Sequence, residues 1–231
     1  MQRLSRPEVI LALDVDTLEI AAAFVDKLYP KIKIFKVGSH LFTAYGPKVI
    51  EMLHKKGAQV FLDLKYLDIP NTVAGAVAAA VLLKVKMLTL HISGGVEMLE
   101  AAVAAAARQA KVSKVTKPLL IGVTILTSQA AEVKEVLALA KIGVSSGLDG
   151  VVCSVREAAV LRQKIKKDFV IITPGLRMNN SVRDDQKRTA TAGQAVKAGS
   201  NFLVIGRPIL KARDPLVMTE ELLGDLYGAG D

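Results

Sequence analysis

Val9-Ile10-Leu11-Ala12-Leu13-Asp14 runs into Val15-Asp16-Thr17 and then into Leu18 to Tyr29. An apolar run followed by a longer segment with helical spacing of apolar residues reads as a strand feeding a helix. A nucleotide-binding open sheet would carry a glycine-rich first turn, and this turn has no glycine. The unit then repeats. Further candidate strands are Ile32 to Val37, Val60 to Leu64, Met87 to Ile92, Leu119 to Ile125, Val151 to Ser154, Val170 to Thr173 and Phe202 to Ile205, making about eight.

Between them lie Ala-, Leu-, Lys- and Glu-rich stretches such as Ala130 to Val144 and Thr189 to Ala198, long enough for helices. Asp16 followed by Glu19 resembles a capping box, and Gly57, Gly147 and Gly199 stand where helices should stop. Continuously apolar strands imply a parallel sheet covered on both faces, and eight βα units close one. The expected fold is therefore α/β, a single (β/α)8 TIM barrel occupying residues 1–231 as one domain.

Composition narrows the function classes. The chain has 231 residues, 51% of them hydrophobic and 23% charged, which fits a sizeable packed core and argues against disorder. Cys153 is the single cysteine, so an internal disulfide and a cysteine-cluster metal site are excluded and a reducing, cytoplasmic setting is expected. The net charge of +9 suits a polyanionic ligand, but with 4% aromatics and no Trp there is little material for stacking nucleic-acid bases. Lys55-Lys56 and Lys166-Lys167 read as solvated helix faces. The opening MQRLSRPEVI lacks a signal-peptide cleavage pattern, and the apolar stretch Val73 to Leu83 is interrupted by Lys84 and Lys86, short of the roughly 18 to 20 residues that span a bilayer.

In such a barrel the active site forms at the C-terminal ends of the strands. Asp14, Lys36, Asp63, Lys65 and His91 stand at or near such ends, and Arg207 follows the last strand. The densest cluster is Phe61-Leu-Asp63-Leu-Lys65-Tyr-Leu-Asp68-Ile-Pro-Asn71-Thr72. Residues two apart on a strand point the same way, so Asp63 and Lys65 share a face that Lys36 can join. A structural ion-pair network at the barrel mouth would show the same spacing, and spacing leaves both readings open.

Asp63-Leu-Lys65-Tyr-Leu-Asp68-Ile-Pro-Asn-Thr72 resembles the signature of the orotidine 5′-phosphate decarboxylase family, bacterial type. Leu11-Ala-Leu-Asp14, Phe35-Lys36-Val-Gly38, His91-Ile-Ser-Gly-Gly95, Val123-Thr-Ile-Leu-Thr127-Ser128, Thr173-Pro-Gly175-Leu-Arg177, Asp185-Gln186-Lys-Arg188 and Val204-Ile-Gly206-Arg207-Pro208 match in the family's order. The D-x-K-x-x-D pattern alone is shared with phosphosugar decarboxylases and synthases. Ile-Pro-Asn-Thr after Asp68 and Asp185-Gln186 late in the chain favour the orotidylate branch.

The resemblance implies conversion of orotidine 5′-monophosphate (OMP) to UMP and CO2, in de novo pyrimidine synthesis, with no metal or organic cofactor. Lys65 is then the candidate acid, since an ammonium stabilises and then protonates a carbanion developing at C6. Asp63 would repel the substrate carboxylate, and Lys36 would hold Asp63 and the ribose hydroxyls. Asp14 would accept hydrogen bonds from the ribose. Asp68 and Thr72 are implied to reach the other subunit's site in a homodimer. Read locally, Asp68 shapes the turn before Pro70 and Thr72 caps the next helix.

Gly206 and Arg207 are the implied phosphate site, set at a helix N-terminus, with Gln186 as a clamp on phosphate and pyrimidine. Thr127 would bond the pyrimidine amide, Pro174 and Arg177 would line the substrate, and Thr124 would stand behind them. The polar segment Gly175 to Lys187 is long enough for a lid. Cys153 reads as a small core residue, His91 as an organiser of the Ser93-Gly94-Gly95 turn, and His40 and His54 as helical residues without zinc-ligand spacing. Asn201 stands where relatives often carry Asp, away from the catalytic end.

Two other functions compete. A phosphosugar aldolase or epimerase on the same barrel would form a Schiff base on Lys65, but flanking carboxylates favour the charged lysine; borohydride trapping separates the two. A basic RNA-binding module predicts salt-sensitive RNA binding, without a recognisable motif to support it.

Overall fold

The computed structural model describes residues 6–177 and 190–227. Its core is a closed barrel of eight parallel strands. In chain order the strands and helices are β1 (Glu8–Ala12), α1 (Leu18–Leu28), β2 (Ile34–Gly38), α2 (Ser39–Tyr45), α3 (Pro47–Lys55), β3 (Gln59–Tyr66), α4 (Pro70–Leu82), β4 (Met87–His91), α5 (Gly95–Ser113), β5 (Leu119–Val123) and α6 (Val133–Ser145). They continue with β6 (Gly150–Val152), α7 (Val155–Lys164), β7 (Val170–Thr173), the short pair β8 (Leu176–Arg177) and β9 (Ala190–Thr191), α8 (Ala192–Lys197), β10 (Phe202–Ile205), α9 (Arg207–Leu210) and α10 (Pro215–Tyr227). β10 returns to pair with β1 and closes the ring.

The strands are mostly apolar because each side faces a different core. Outward residues such as Leu11, Phe35, Val60, Leu88 and Leu203 pack under the helices. Inward residues Ile10, Ala12, Ile34, Phe61, Met87, Ile121, Val170, Ile172, Phe202 and Val204 form a separate cluster that fills the barrel. Following the inward row upward places the site: Phe61 is succeeded by Asp63, Met87 by Thr89, and Ile34 by Lys36. The middle of the barrel is apolar, between a polar N-terminal rim that includes Glu8 and Gln59 and the polar C-terminal mouth where sites form in this architecture.

Local details amend the sequence reading. Thr17, not Asp16, caps α1, its hydroxyl accepting the Ile20 amide at 3.2 Å. Two cap-forming residues stand side by side, and only the second has its side chain over the first turn. β1 ends at Ala12, so Asp14 lies two residues past the strand. Cys153 is buried just past β6. Gly57, Gly147 and Gly199 do stop helices, each at positive φ.

Candidate active site

The decisive irregularity is in β3. Leu62 pairs with Leu88 and Tyr66 with Leu90, so Asp63, Leu64 and Lys65 stand opposite Thr89 alone. Lys65 takes φ +51° there, a left-handed conformation that costs a non-glycine residue roughly 1–2 kcal/mol. The two-residue spacing of a regular strand therefore does not explain why Asp63 and Lys65 meet. They meet because a bulge swings Lys65 back, placing its Nζ 2.9 Å from Asp63 Oδ2.

Lys36 from β2 approaches the same Asp63 oxygen at 3.4 Å and reaches Asp14 Oδ1 at 3.3 Å. Thr89 donates its hydroxyl proton to Asp63 Oδ1 at 2.9 Å and accepts the Lys65 amide at 2.9 Å. Burial pushes the Asp63 carboxyl up, but the Lys36 and Lys65 ammonium groups and the hydrogen bonds from Lys65 and Thr89 outweigh it, leaving its pKa below the ordinary 3.8. Burial, then Lys65, push His91 below its usual 6.5 against the pull of Asp63. At neutral pH the site holds an ionised Asp63 beside a neutral imidazole.

Asp14, Lys36, Asp63 and Lys65 open onto a cavity of about 500 Å³. Thr127, Pro174, Gly206 and Arg207 line it too, with apolar wall from Ile125, Val152, Ile172 and Val204. A cavity of this size fits a nucleotide-sized ligand, with the apolar wall suited to a flat ring and the cations to an anion. Gly206 precedes α9. A Cβ there would meet Ala12 Cβ at 3.4 Å and Asp14 Oδ2 at 3.7 Å, ordinary contacts, so the chain's own packing does not demand glycine. At the α9 terminus Pro208 has no amide proton, and the Ile209 and Leu210 amides bond Gly206 O.

Asp68 and Thr72 do not join this cavity. Both are exposed, and Asp68 Oδ1 accepts the Ile69 amide at 2.6 Å, shaping the turn as a local role requires. Thr72 lies inside α4, whose cap is Ile69, so the helix-capping reading of Thr72 is wrong. Gln186 lies outside the described residues, as do 178–187 of the candidate lid. Arg177 is described only in its backbone, pairing with Thr191 in the β8–β9 sheet. Thr124 bonds Val152 O at 3.0 Å, behind the cavity wall.

Sequence reading passes over two residues. Thr89 is fully buried and organises Asp63 and Lys65; its signal is an inward-facing hydroxyl in the Met87–His91 run. Lys211 lines the cavity beside Arg207, four residues along the same turn, and carries no motif. Among the described residues no group of three or more His, Cys, Asp or Glu is placed to hold a metal ion, and no helix is long and apolar enough to cross a membrane.

Comparison with known proteins bears on this geometry. Residues 7–222 match the family described as "Orotidine 5'-phosphate decarboxylase / HUMPS family". The orotidine 5′-phosphate decarboxylase of Coxiella burnetii strain RSA 493 is 46% identical, covering 95% of this chain and 97% of its own. That of Vibrio cholerae strain M66-2 is 46% identical over 95% of this chain and 98% of its own. The crystal structure of orotidine 5′-phosphate decarboxylase from Lactobacillus acidophilus superposes with a TM-score of 0.84 at 35% identity, covering 96% of this chain and 100% of that one.

Proposed function

The chain belongs to the orotidine 5′-phosphate decarboxylase / HUMPS family and is a carboxy-lyase, and from that premise we propose that Lys65 is the proton donor in a cofactor-independent decarboxylation of OMP to UMP. The observation that carries this reading is the triad at the cavity mouth: Lys65 Nζ at 2.9 Å and Lys36 Nζ at 3.4 Å from one oxygen of a buried Asp63. The C6–carboxylate bond breaks, CO2 leaves, and the electron pair stays on C6. Lys65 stabilises that pair and then gives C6 its proton, and solvent returns a proton to the amine. Asp63, ionised and close by, disfavours the substrate carboxylate until CO2 departs, and it fixes both ammonium groups.

Asp14 and Lys36 are assigned to the ribose hydroxyls, Thr127 to the pyrimidine amide, Pro174 and Arg177 to the substrate wall, and Gly206, Arg207 and Gln186 to the phosphate. Phosphate held by Arg207 lends binding energy to a reacting carbon some distance away. The site is completed by Asp68 and Thr72 from a second copy of the chain. Supporting that homodimer, Asp68 and Thr72 face out of their own cavity, amid exposed Leu67 and Ile69. One barrel domain over residues 1–231, a cytoplasmic setting and no nucleic-acid partner complete the proposal.

The test is loss of orotate absorbance when EDTA-treated protein meets OMP, with UMP and CO2 identified as products. Rapid conversion supports the reading. No conversion by folded dimer overturns it and directs the search to hexulose and ketogulonate phosphates. Mixing Asp68→Asn with Lys65→Ala protein tests the shared site: activity regained from two inactive variants supports it, and none despite verified subunit exchange counts against it.

A further inference from the structure

The group that organises the charge array carries no charge itself. Thr89 is fully buried in β4, and its one hydroxyl works in both senses, donating to Asp63 Oδ1 at 2.9 Å and accepting the Lys65 amide at 2.9 Å. Serine could do the same; valine, with threonine's shape, could do neither. The first bond occupies Oδ1 and leaves Oδ2 to the two ammonium groups, at 2.9 Å for Lys65 and 3.4 Å for Lys36. The second ties down the backbone where Lys65 stands at φ +51° and β3 sets three residues against Thr89 alone. A left-handed lysine persists only where its surroundings hold it, and Thr89 supplies the side-chain bond to its amide.

We propose that Thr89 is a positioning residue for the decarboxylation: one hydroxyl sets the rotation of the Asp63 carboxylate and locks the bulge that aims Lys65. This rests on the assignment of Lys65 as proton donor. Thr89 does not line the cavity, so its loss should slow the chemical step and spare binding. The ionisable groups facing Asp63 are Lys36 from β2, Lys65 on β3, His91 at the end of β4 and, across Lys36, Asp14 beyond β1. All remain in the variants, so a change in pH response reports on the hydroxyl.

The experiment compares wild type with Thr89→Val and Thr89→Ser for OMP turnover, UMP affinity and the pH profile of kcat. Thr89→Val is expected to lose about 10- to 100-fold in kcat, the worth of a hydrogen bond to a charged group, with KM and UMP affinity changed by less than about threefold. The acid limb of its kcat profile moves to higher pH, because Asp63 has lost a donor, and Thr89→Ser recovers most of the rate and the profile. If the valine variant does not fold, Thr89→Ser and Thr89→Ala, which differ by that one oxygen, make the same comparison. Wild-type kcat in Thr89→Val, or equal losses in the valine and serine variants, overturns the inference alone. A folded wild-type chain that binds UMP but leaves OMP unchanged overturns the decarboxylase reading, and this inference with it.

Discussion

At the N-terminal rim of the barrel, Asp149 Oδ2 receives the Lys117 ammonium at 2.7 Å and the Leu120 amide at 2.9 Å. At the opposite mouth, Asp63 Oδ2 faces the Lys65 and Lys36 ammonium groups at 2.9 and 3.4 Å. Each carboxylate oxygen serves two donors, yet the partners differ in kind. The rim pattern repeats around the ring: Lys86 bonds Gln59, and Arg162 donates to Gly199 O, Phe169 O and Asn201 Oδ1, which also accepts the Ile171 amide. There, charge and amide groups tie backbone to backbone. At the mouth, Lys36 bridges Asp63 and Asp14 while Lys65 sits on Asp63, beside a cavity that Arg207 and Lys211 also line, so cations outnumber carboxylates there and an arriving anion gains from them. Position along the strand, not residue type, separates the stabilising rim from the mouth for which catalysis is proposed.

The sharpest way to break this contrast is Lys65→Ala. Loss of a positioned acid is expected to cut kcat by roughly 100- to 10,000-fold, while the melting temperature holds and UMP still binds. Turnover measured alongside calorimetry checks both halves; retained activity would return the mouth cluster to the class of structural ion pairs. Arg207→Ala comes next. Removing a charge-assisted phosphate contact should lower kcat/KM by about 10- to 100-fold, mostly through KM, with little change in affinity for uridine, which has no phosphate. An equal effect on uridine would show that Arg207 shapes the cavity rather than binding the anion.

At the rim the expected signs reverse. Asp149→Asn weakens the bond to Lys117, with a cost of about 1–3 kcal/mol and several degrees in melting temperature, and unchanged kcat and KM. A kinetic defect without loss of stability would erase the distinction between the two ends.

How much of this was legible depends on what each feature writes into the sequence. The barrel was legible because eight strands buried on both sides must be apolar at nearly every position, and Val170–Thr173 and Phe202–Ile205 coincide with their expected bounds. Asp14, Lys36, Asp63 and Lys65 were legible as charges at or near the ends of apolar runs, whereas Lys211, at the end of the short α9, was not. The bulge at Asp63–Lys65 was not: a bulge usually announces its left-handed residue with glycine, and here a lysine occupies it. Thr89 was hidden because threonine is at home in any strand, so only the inward row of β4 marks it. The β8–β9 pair, two residues a side, is too short to show periodicity. Asn201 was rightly placed away from the catalytic end, but its bonds to Arg162 and the Ile171 amide join residues far apart in sequence.

The smallest effect expected concerns acid. Asp63 has a folded pKa below the ordinary 3.8, so between the two values the unfolded chain binds more protons than the folded one. Its contribution to stability is therefore fully present above about 3.8 and disappears as pH falls through the lower, folded value. Asp63→Asn cannot titrate. Its melting temperature at neutral pH differs from wild type by an offset set by two lysines without their carboxylate, and that offset should shrink as the medium is acidified below pH 3.8. His91 also loses stability toward acid, beginning near 6.5, and because Asp63 pulls its pKa up that loss is smaller in wild type than in Asp63→Asn. Measured in a His91→Gln background, the difference between the two melting curves isolates Asp63. Curves that stay parallel from pH 5 down to the acid transition would mean that the lysines do not hold the carboxylate in its charged form, and the mouth would then differ from the rim in position alone.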